Sequence, residues 1–401
     1  MDITSKRCQE SVTNRKLGTI NIGSRRSQLA LIQTKLVIER LERFYSNNPD
    51  RLRWIGQSTD RDDPKLEFDV VTMTTTGDKI LDKPLPTIGS KSLFTGELEV
   101  ALLDGKVDFV VHSLKDLPTT LPEGCAIGAI LKRDSPDDAI VMKKSLRSKV
   151  SPIDLLLGRN RMTGPDKIKI GTSSHRRIAM IKRGNPDIEC IDIRGNLNTR
   201  ISKLDDDGGE YAAIVLAKAG LDRMGWSDRA SCLLRSEDNE AFKDWCYAVG
   251  QGAIAVECRS NDNDMLRLLW PIAHMETTYE VVAERSLMRT LEAGCSVPIG
   301  VRSSWSDCQV GITLRLEGVV LSLDGKVVIR ADDRTIIVDR AELRSESSTG
   351  LPLESSTSII VSEEDFLLKS KVEYNLRECS LLGMRVANKL IGQGCLSLIK
   401  R

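Results

Sequence analysis

The chain twice repeats one order of elements, in which a short apolar run is followed by turn residues and then by a stretch of helical periodicity. Strands that alternate with helices in this way favour parallel βαβ packing. At 401 residues the chain is also too long for one ordinary core. We therefore predict two successive α/β units, the first with strands at 20–22, 68–74 and 107–111 and a helix at 27–44, the second with strands at 167–170, 188–193 and 212–216 and helices at 174–182 and 196–204.

The periodicity changes after residue 277, which indicates a third unit of a different kind. A helix at 279–291 precedes two stretches with alternating apolar residues, at 312–320 and 326–332, and a closing helix lies near 378–391. This order predicts a small α+β unit after the two α/β units.

Three segments are predicted to lie outside the packed units. Residues 1–16 are polar and indicate a mobile tail, and residues 56–65 form a charged loop. Residues 344–364 are rich in serine and acidic side chains and lack apolar periodicity, so we predict a mobile insertion there.

Composition excludes several classes of function. Lysine and arginine total 58 against 57 acidic residues, so net charge gives no reason to expect nucleic-acid binding. No apolar run approaches the ~20 residues that span a bilayer, and the first residues carry no apolar export signal. The ten cysteines show no C-x-x-C pair or metal-ligand spacing, so we expect reduced thiols, no metal and a cytoplasmic protein.

Three predicted strand-to-helix junctions place arginine where a helix should begin. A helix N-terminus carries partial positive charge and free N–H groups, so a cation there is unfavourable unless an anion lies beside it. In open α/β sheets the carboxyl ends of strands are also where ligands bind. The junctions are residues 23–27 with Arg25 and Arg26, residues 171–177 with Arg176 and Arg177, and residues 193–200 with Arg194 and Arg200.

For any single pair of these arginines, a solvated position or a surface ion pair is as good an explanation as ligand binding. A surface ion pair is nearly neutral in energy. Three junctions in a chain of balanced charge favour a cleft for a ligand with several carboxylates or phosphates.

The segment from His112 to Pro118 directly follows the predicted strand at 107–111. Pro118 disfavours helix at the residue before it, so we predict a fixed turn that presents Lys115 and Asp116. A carboxylate there is expected to be ionised and suited to stabilising a developing cation. Spacing alone makes an ordinary surface turn the better explanation, and it makes His112 a structural histidine rather than a metal ligand.

Cys295 lies in a loop directly after a predicted helix, between Gly294 and Pro298. Small neighbours make this thiol more accessible than the core type expected of Cys190 or Cys258. A lone cysteine is seldom a covalent site, and no partner histidine is identifiable, so spacing leaves its role open.

With these segments in hand, the sequence resembles the porphobilinogen deaminase (hydroxymethylbilane synthase) family over about residues 17–325. The motifs stand in family order, among them GSRRSQLALIQT, KSLFTGELE, VDFVVHSLKDLP, GTSSHRR, DIRGNLNTR, YAVGQGAIAVE and LEAGCSVPIG. The resemblance implies a transferase that condenses four porphobilinogen units into linear hydroxymethylbilane and releases ammonia. It also implies a place in haem biosynthesis. Charge and hydropathy predict no nucleic-acid or membrane partner, and because no strongly apolar stripe demands a protein partner we expect a monomer, although the sequence leaves the oligomeric state open.

The resemblance implies the fold class and its boundaries. Two periplasmic-binding-protein-like (type II) α/β domains would be followed by a small α+β domain with an antiparallel sheet. Domain 1 would comprise residues 17–133 and 249–275, domain 2 residues 134–248, and domain 3 residues 276–401 with a long insertion at about 344–370.

The resemblance also assigns roles to residues. Cys295 would hold a dipyrromethane cofactor by a thioether, and Asp116 would be the catalytic carboxylate beside the pyrrole N–H groups. The remaining cofactor contacts would be Ser113, Lys115, Ser173, Ser174, Arg176, Arg177, Arg200, Gln251 and Gly252. The substrate contacts would be Arg25, Arg26, Gln28, Arg194 and Arg223.

One departure and two rival functions stay open at this point. Gly96 stands where the family commonly has a lysine, which puts any lysine role there in doubt. A non-enzymatic two-lobed binder of a polycarboxylate ligand fits the arginines equally well. A thiol-redox or zinc protein is disfavoured by the absence of ligand spacing.

Overall fold

The computed structural model describes residues 19–49, 51–52, 66–79, 93–159, 168–235, 242–292, 297–308, 311–337 and 363–399, with side chains described from residue 371 in the last range. The predicted tail at 1–16, the loop at 56–65 and most of the insertion lie outside these residues. The described residues form two lobes with five-stranded sheets and a third domain with a three-stranded sheet.

Lobe 1 is built on a sheet of order β2-β1-β3-β10-β4. Its strands are β1 (Thr19–Arg25), β2 (Glu67–Met73), β3 (Phe109–Ser113), β4 (Cys125–Ile130) and β10 (Ile254–Arg259). Its helices are α1 (Gln28–Asn47), α2 (Thr76–Lys79), α3 (Gly96–Leu103) and α8 (Asn263–Leu269). Ser27 caps α1 by accepting from the N–H of Ala30, and the buried face of the helix, with Val37 and Leu41, packs on the sheet.

Lobe 2 has a sheet of order β7-β6-β8-β5-β9. Its strands are β5 (Asp138–Met142), β6 (Lys169–Gly171), β7 (Glu189–Ile191), β8 (Ala213–Ala217) and β9 (Cys232–Leu234). Its helices are α4 (Pro152–Leu157), α5 (His175–Gly184), α6 (Leu197–Asp205) and α7 (Lys218–Arg223).

The strands predicted in each lobe pair in parallel, as expected, but both sheets are mixed because each also contains an antiparallel strand that was not predicted. β10 runs antiparallel between β3 and β4, and β5 runs antiparallel to β8. Each of these strands is the first that the chain forms after crossing from the other lobe. Ile254 pairs with Ser113 and Asp138 with Ala217, so both strands start at the carboxyl edge of their neighbours. The chain enters each lobe from the cleft and must run opposite to the strands that end there.

The third domain packs two long helices on its antiparallel sheet. It comprises α9 (Met275–Thr290), β11 (Ile299–Cys308), β12 (Gly311–Leu321), β13 (Val328–Ile337), α10 (Glu363–Gly392) and α11 (Leu396–Ile399). Leu287 of α9, Leu316 of β12 and Val386 of α10 are fully buried in one core. The predicted α/β class of the two lobes and the small α+β domain with an antiparallel sheet are confirmed.

The closing helix is much longer than its prediction. α10 begins at Glu363, within the stretch assigned to the insertion, and not near residue 378. No helix among the described residues has the length and apolar character that crossing a membrane requires.

Candidate active site

One wall of the cleft is the carboxyl edge of lobe 1, where the parallel strands β1 and β3 end side by side. Arg25 ends β1, and its guanidinium pairs with Asp78 and lies 4.5 Å from the ring centre of Phe94. Arg26 and Gln28 are exposed beside it. Ser113 ends β3 and binds the buried Gln33 at 2.8 Å. The sequence predicted the junction that contains Arg25 and Arg26, and the fold places it at the carboxyl edge of the lobe 1 sheet.

The predicted turn after β3 exists as a single 3₁₀ turn over Leu114–Asp116. Leu114 is buried and donates its N–H to the carbonyl of Ala253, which fixes the turn to the strand returning from lobe 2. Lys115 is half-buried, whereas Asp116 is exposed at the cleft. The backbone therefore holds the turn while the carboxylate stays accessible.

The opposite wall carries Arg176 and Arg177 in the first turn of α5, and both are buried. Arg176 donates to Asp138 at 2.7 Å and to the carbonyl of Cys246 at 2.6 Å. Arg177 donates twice to Asp138, at 3.0 and 2.7 Å, and to the carbonyl of Val215 at 2.8 Å. One carboxylate therefore orients both guanidinium groups.

Asp138, the shared partner of these two arginines, is a residue that sequence reasoning missed. It is fully buried, and Trp245 and Gln251 also donate to it, each at 3.0 Å. Burial alone would raise the pKa of this carboxyl, but Arg176 and Arg177 outweigh that effect and hold the pKa well below its usual range. The only sequence signal was an acidic residue at the crossover before a β-branched run, which does not reveal its partners.

Two serines set the local geometry of the α5 junction. The Ser174 hydroxyl caps α5 by accepting from the N–H of Arg177, and the Ser173 hydroxyl donates to the carbonyl of Ile193 at 2.9 Å. The second bond joins this junction to the next one, which starts at the end of β7.

That next junction places Arg194 and Arg200 beside the first. Arg194 is buried with its Nε 3.2 Å from Asp192, and Arg200 donates from Nε to the carbonyl of Gly195 at 2.8 Å. Gly195 has a φ of 104°, a conformation that favours glycine, and it turns the chain into α6.

Positive charge from both lobes converges at Lys115 and Arg200. Burial lowers the pKa of Lys115 to about 8, and the nearby Arg177 and Arg200 act in the same direction. Burial likewise lowers the pKa of Arg200 to about 10, with Arg177 and Arg194 adding to the shift. Asp116 opposes both shifts, which places it within electrostatic reach of each cation. This part of the cleft holds more positive charge than its acidic side chains neutralise.

The remaining predicted contacts lie where the chain crosses between lobes. Gln251 is buried and donates to Asp138 and to the carbonyl of Pro136 at 2.6 Å. Gly252 has a φ of 88°, and a Cβ there would approach the Asp134 carbonyl to 2.5 Å. Arg223 donates to the Gly252 carbonyl at 2.6 Å and to Asp134 at 2.8 Å. These residues hold together the two segments along which the chain crosses between the lobes, residues 131–137 and 248–253.

Gln28 makes a second link between the lobes. Its Oε1 accepts from Asn198 of α6 at 2.8 Å, and both side chains are exposed. The predicted substrate contact thus lies at the mouth of the cleft.

Cys295 lies outside the described residues, which break at 293–296. The chain before the break is fixed by the N–H of Leu291, which donates to Leu287 of α9. The chain after it is fixed by Pro298, whose carbonyl accepts from Leu321 of β12.

His112, which the sequence indicated to be a structural histidine, pairs with a buried acid. It is buried in β3 with its Nε2 2.9 Å from Glu257 of β10. Within the described ranges, no group of three or more histidine, cysteine or acidic side chains is arranged to hold a metal ion.

Two family models match the chain in succession. One is described as porphobilinogen deaminase, dipyromethane cofactor binding domain, and matches residues 20–267. The other is described as porphobilinogen deaminase, C-terminal domain, and matches residues 278–346.

Curated proteins named porphobilinogen deaminase match most of the chain. The protein of Nostoc sp. strain PCC 7120 is 43% identical over 343 residues, 84% of this chain and 94% of the relative. That of Synechococcus elongatus is 46% identical over 311 residues, 78% and 85% of the two chains. That of Dictyostelium discoideum is 40% identical over 322 residues, 80% and 89% of the two chains.

Similar solved structures are distant. An R. palustris protein solved with adipate is 11% identical, with 67% of this chain and 83% of that chain covered and a TM-score of 0.37. The periplasmic nitrate-binding protein NrtA from Synechocystis PCC 6803 is 10% identical, with 69% and 66% covered and a TM-score of 0.32.

Proposed function

The chain belongs to the porphobilinogen deaminase family, and from that premise we propose which of its residues carry the reaction. The enzyme is a transferase of tetrapyrrole biosynthesis that condenses four porphobilinogen units head to tail into linear hydroxymethylbilane and releases ammonia. A non-enzymatic binder is not favoured, because the curated relatives are deaminases by name.

The surplus of positive charge between the lobes carries the proposal. Each pyrrole of the substrate and of the dipyrromethane cofactor brings two carboxylates, and Lys115 and Arg200 have lowered pKa values there. A bound carboxylate would restore both pKa values toward normal, so the residues present fit this group. When bound, the cofactor supplies the pyrrole carbon to which the first substrate unit is joined.

Asp116 is the catalytic residue in this proposal. Its carboxylate is exposed at the cleft and is held on a turn whose backbone is anchored to the returning strand. From there it accepts hydrogen bonds from pyrrole N–H groups and stabilises the positive charge that develops as ammonia leaves.

The cations divide between the two walls. Arg176, Arg177 and Arg200 of lobe 2, with Lys115 of lobe 1, bind carboxylates of the cofactor, and Ser113, Ser173, Ser174, Gln251 and Gly252 complete that set. Arg25, Arg26, Gln28, Arg194 and Arg223 bind the incoming substrate. Asp138 orients Arg176 and Arg177 toward the cleft.

Cys295 carries the cofactor through a thioether in this proposal. The described residues that flank 293–296 support this assignment, because Leu291 is hydrogen-bonded to α9 and Pro298 to β12. We further propose that the enzyme works as a cytoplasmic monomer without a nucleic-acid or membrane partner. The substrate is a small anion, and charge placed inside a cleft needs no second chain.

Intact-protein mass spectrometry tests the attachment. The purified enzyme should carry an adduct of two pyrrole units, and porphobilinogen should add further units in steps. Cys295→Ser should fold, carry no adduct and form no product. Cys308→Ser, which changes a half-buried thiol of β11, is the matched control and should keep the adduct. An adduct on Cys295→Ser, or normal turnover by it, would refute the assignment.

A further inference from the structure

Arg285 of α9 reaches from the third domain into lobe 1 and binds the chain directly after the Asp116 turn. Its NH1 donates to the carbonyl of Leu117 at 3.2 Å, and its NH2 donates to the carbonyl of Pro118 at 2.6 Å. We propose that Arg285 is a positioning residue that holds the Asp116 carboxylate in place for the condensation. This inference rests on the proposed catalytic role of Asp116.

The contact has the geometry of a clamp. A guanidinium presents a rigid fork of donors, so two consecutive carbonyls bound by its two terminal nitrogens cannot rotate independently. Leu117 is buried and adjoins Asp116 in sequence, so its carbonyl direction fixes the end of the turn. Proline at 118 removes one further backbone rotation.

Arg285 is buried, so its charge does not serve to keep the protein surface soluble. Only 6% of Arg285 is exposed, and burial lowers its pKa to about 10, with Arg289 adding to the effect. Glu257, whose negative charge raises the pKa of Arg285, already binds His112. The two backbone carbonyls are therefore the neutral partners that keep this buried cation hydrogen-bonded.

α9 also binds the two segments along which the chain crosses between the lobes. Glu284, the residue before Arg285, accepts from Arg133 at 2.6 Å and from the N–H of Gly250 at 2.8 Å. α9 leads into residues 293–296, which contain Cys295. One helix thus contacts the segments that cross between the lobes and the turn that bears Asp116, and it precedes the segment that contains Cys295.

The experiment compares Arg285→Gln and Arg285→Lys with a matched control, Arg259→Gln. Arg259 also donates to two backbone carbonyls, those of Leu102 at 3.0 Å and Val107 at 2.8 Å, but at the far end of β3 from the turn. Each variant is measured for cofactor content by intact mass, for thermal unfolding, and for kcat per loaded enzyme and KM for porphobilinogen.

If Arg285 positions the turn, Arg285→Gln keeps its cofactor and a KM within about twofold but loses about tenfold to a hundredfold in kcat, as expected for a small misplacement of a catalytic group. Arg285→Lys, which can satisfy one carbonyl but lacks the fork, recovers part of kcat. Arg259→Gln lowers the unfolding temperature and leaves kcat per loaded enzyme unchanged.

Equal kcat per loaded enzyme in Arg285→Gln, Arg259→Gln and the unsubstituted enzyme would overturn the proposal and leave Arg285 a purely structural residue. Should Arg285→Gln fail to fold, Arg285→Lys decides by the same comparison. An Asp116→Asn variant separates the two levels of inference. Normal turnover by Asp116→Asn would refute the catalytic role of Asp116, and the role of Arg285 with it. Loss of turnover in Asp116→Asn together with normal turnover in Arg285→Gln would refute only the role of Arg285.

Discussion

The two walls of the cleft are fixed by different physical means. In lobe 1 the turn with Lys115 and Asp116 is held through its backbone, by the bond from Leu114 to Ala253 and by the clamp from Arg285. In lobe 2 the guanidinium groups of the α5 junction are held through their side chains, by the buried carboxylate of Asp138.

The difference follows from what each wall presents to the ligand. The Asp116 carboxylate must stay accessible to the ligand, so it cannot also make the hydrogen bonds that anchor its own turn. The turn is anchored through its backbone instead. Two adjacent buried cations, by contrast, repel each other and lose hydration, so they need a shared counter-charge. The charge balance of the arginine wall therefore depends on Asp138, whereas the turn depends on one neutral backbone bond from Leu114 and two bonds from the Arg285 guanidinium.

Asp138→Asn should have the largest effect, because it leaves Arg176 and Arg177 buried without a counter-charge. We expect a loss of about 3–5 kcal/mol in the free energy of unfolding, measured by urea denaturation. Asp137→Asn is the matched control. Its partner Arg235 is much more exposed, and we expect at most about 1 kcal/mol. Equal losses in the two variants would show that Asp138 is not the anchor of this wall.

Asp116→Asn should separate catalysis from stability on the other wall. We expect kcat to fall by about 10²–10³-fold, as when a group that stabilises developing charge is removed. Unfolding should change by no more than about 0.5 kcal/mol, because the carboxylate is exposed. Glu123→Gln, an exposed carboxylate of the same lobe, should change neither quantity. A kcat near that of the unsubstituted enzyme would remove Asp116 from the catalytic role.

The smallest effect we predict is a pH dependence of binding through Lys115. Its pKa is lowered to about 8, so the amine is charged below that pH and becomes neutral as the pH rises through it. Uptake of the dipyrromethane cofactor by cofactor-free enzyme, followed by intact mass, should therefore weaken by about fivefold on going from about pH 7 to about pH 9 as one ion pair is lost. Lys115→Arg stays charged in this range and should show a flat profile. The same rise in both enzymes would assign it to another group.

Much of the site was predictable because its signals are local. The three arginine junctions and the turn after β3 each need only a strand end, a few turn residues and a helix start within one short segment. The structure places all of them as expected, and the α/β class of both lobes is confirmed. Sequence analysis did not assign β5 or β10, which run antiparallel to their neighbours β8 and β3. Periodicity reports which side chains are buried but not which way a strand enters its sheet.

The sequence alone determined the alternation of strands and helices, the positions of the basic junctions and the motifs that identify the family. All of these depend on residues close together in the chain. Only the tertiary structure decided that Arg176 meets Asp138 across 38 residues and that Arg285 meets Leu117 across 168. Buried charges select partners by proximity after packing, and no local pattern records which distant carboxylate or carbonyl the fold will bring beside them.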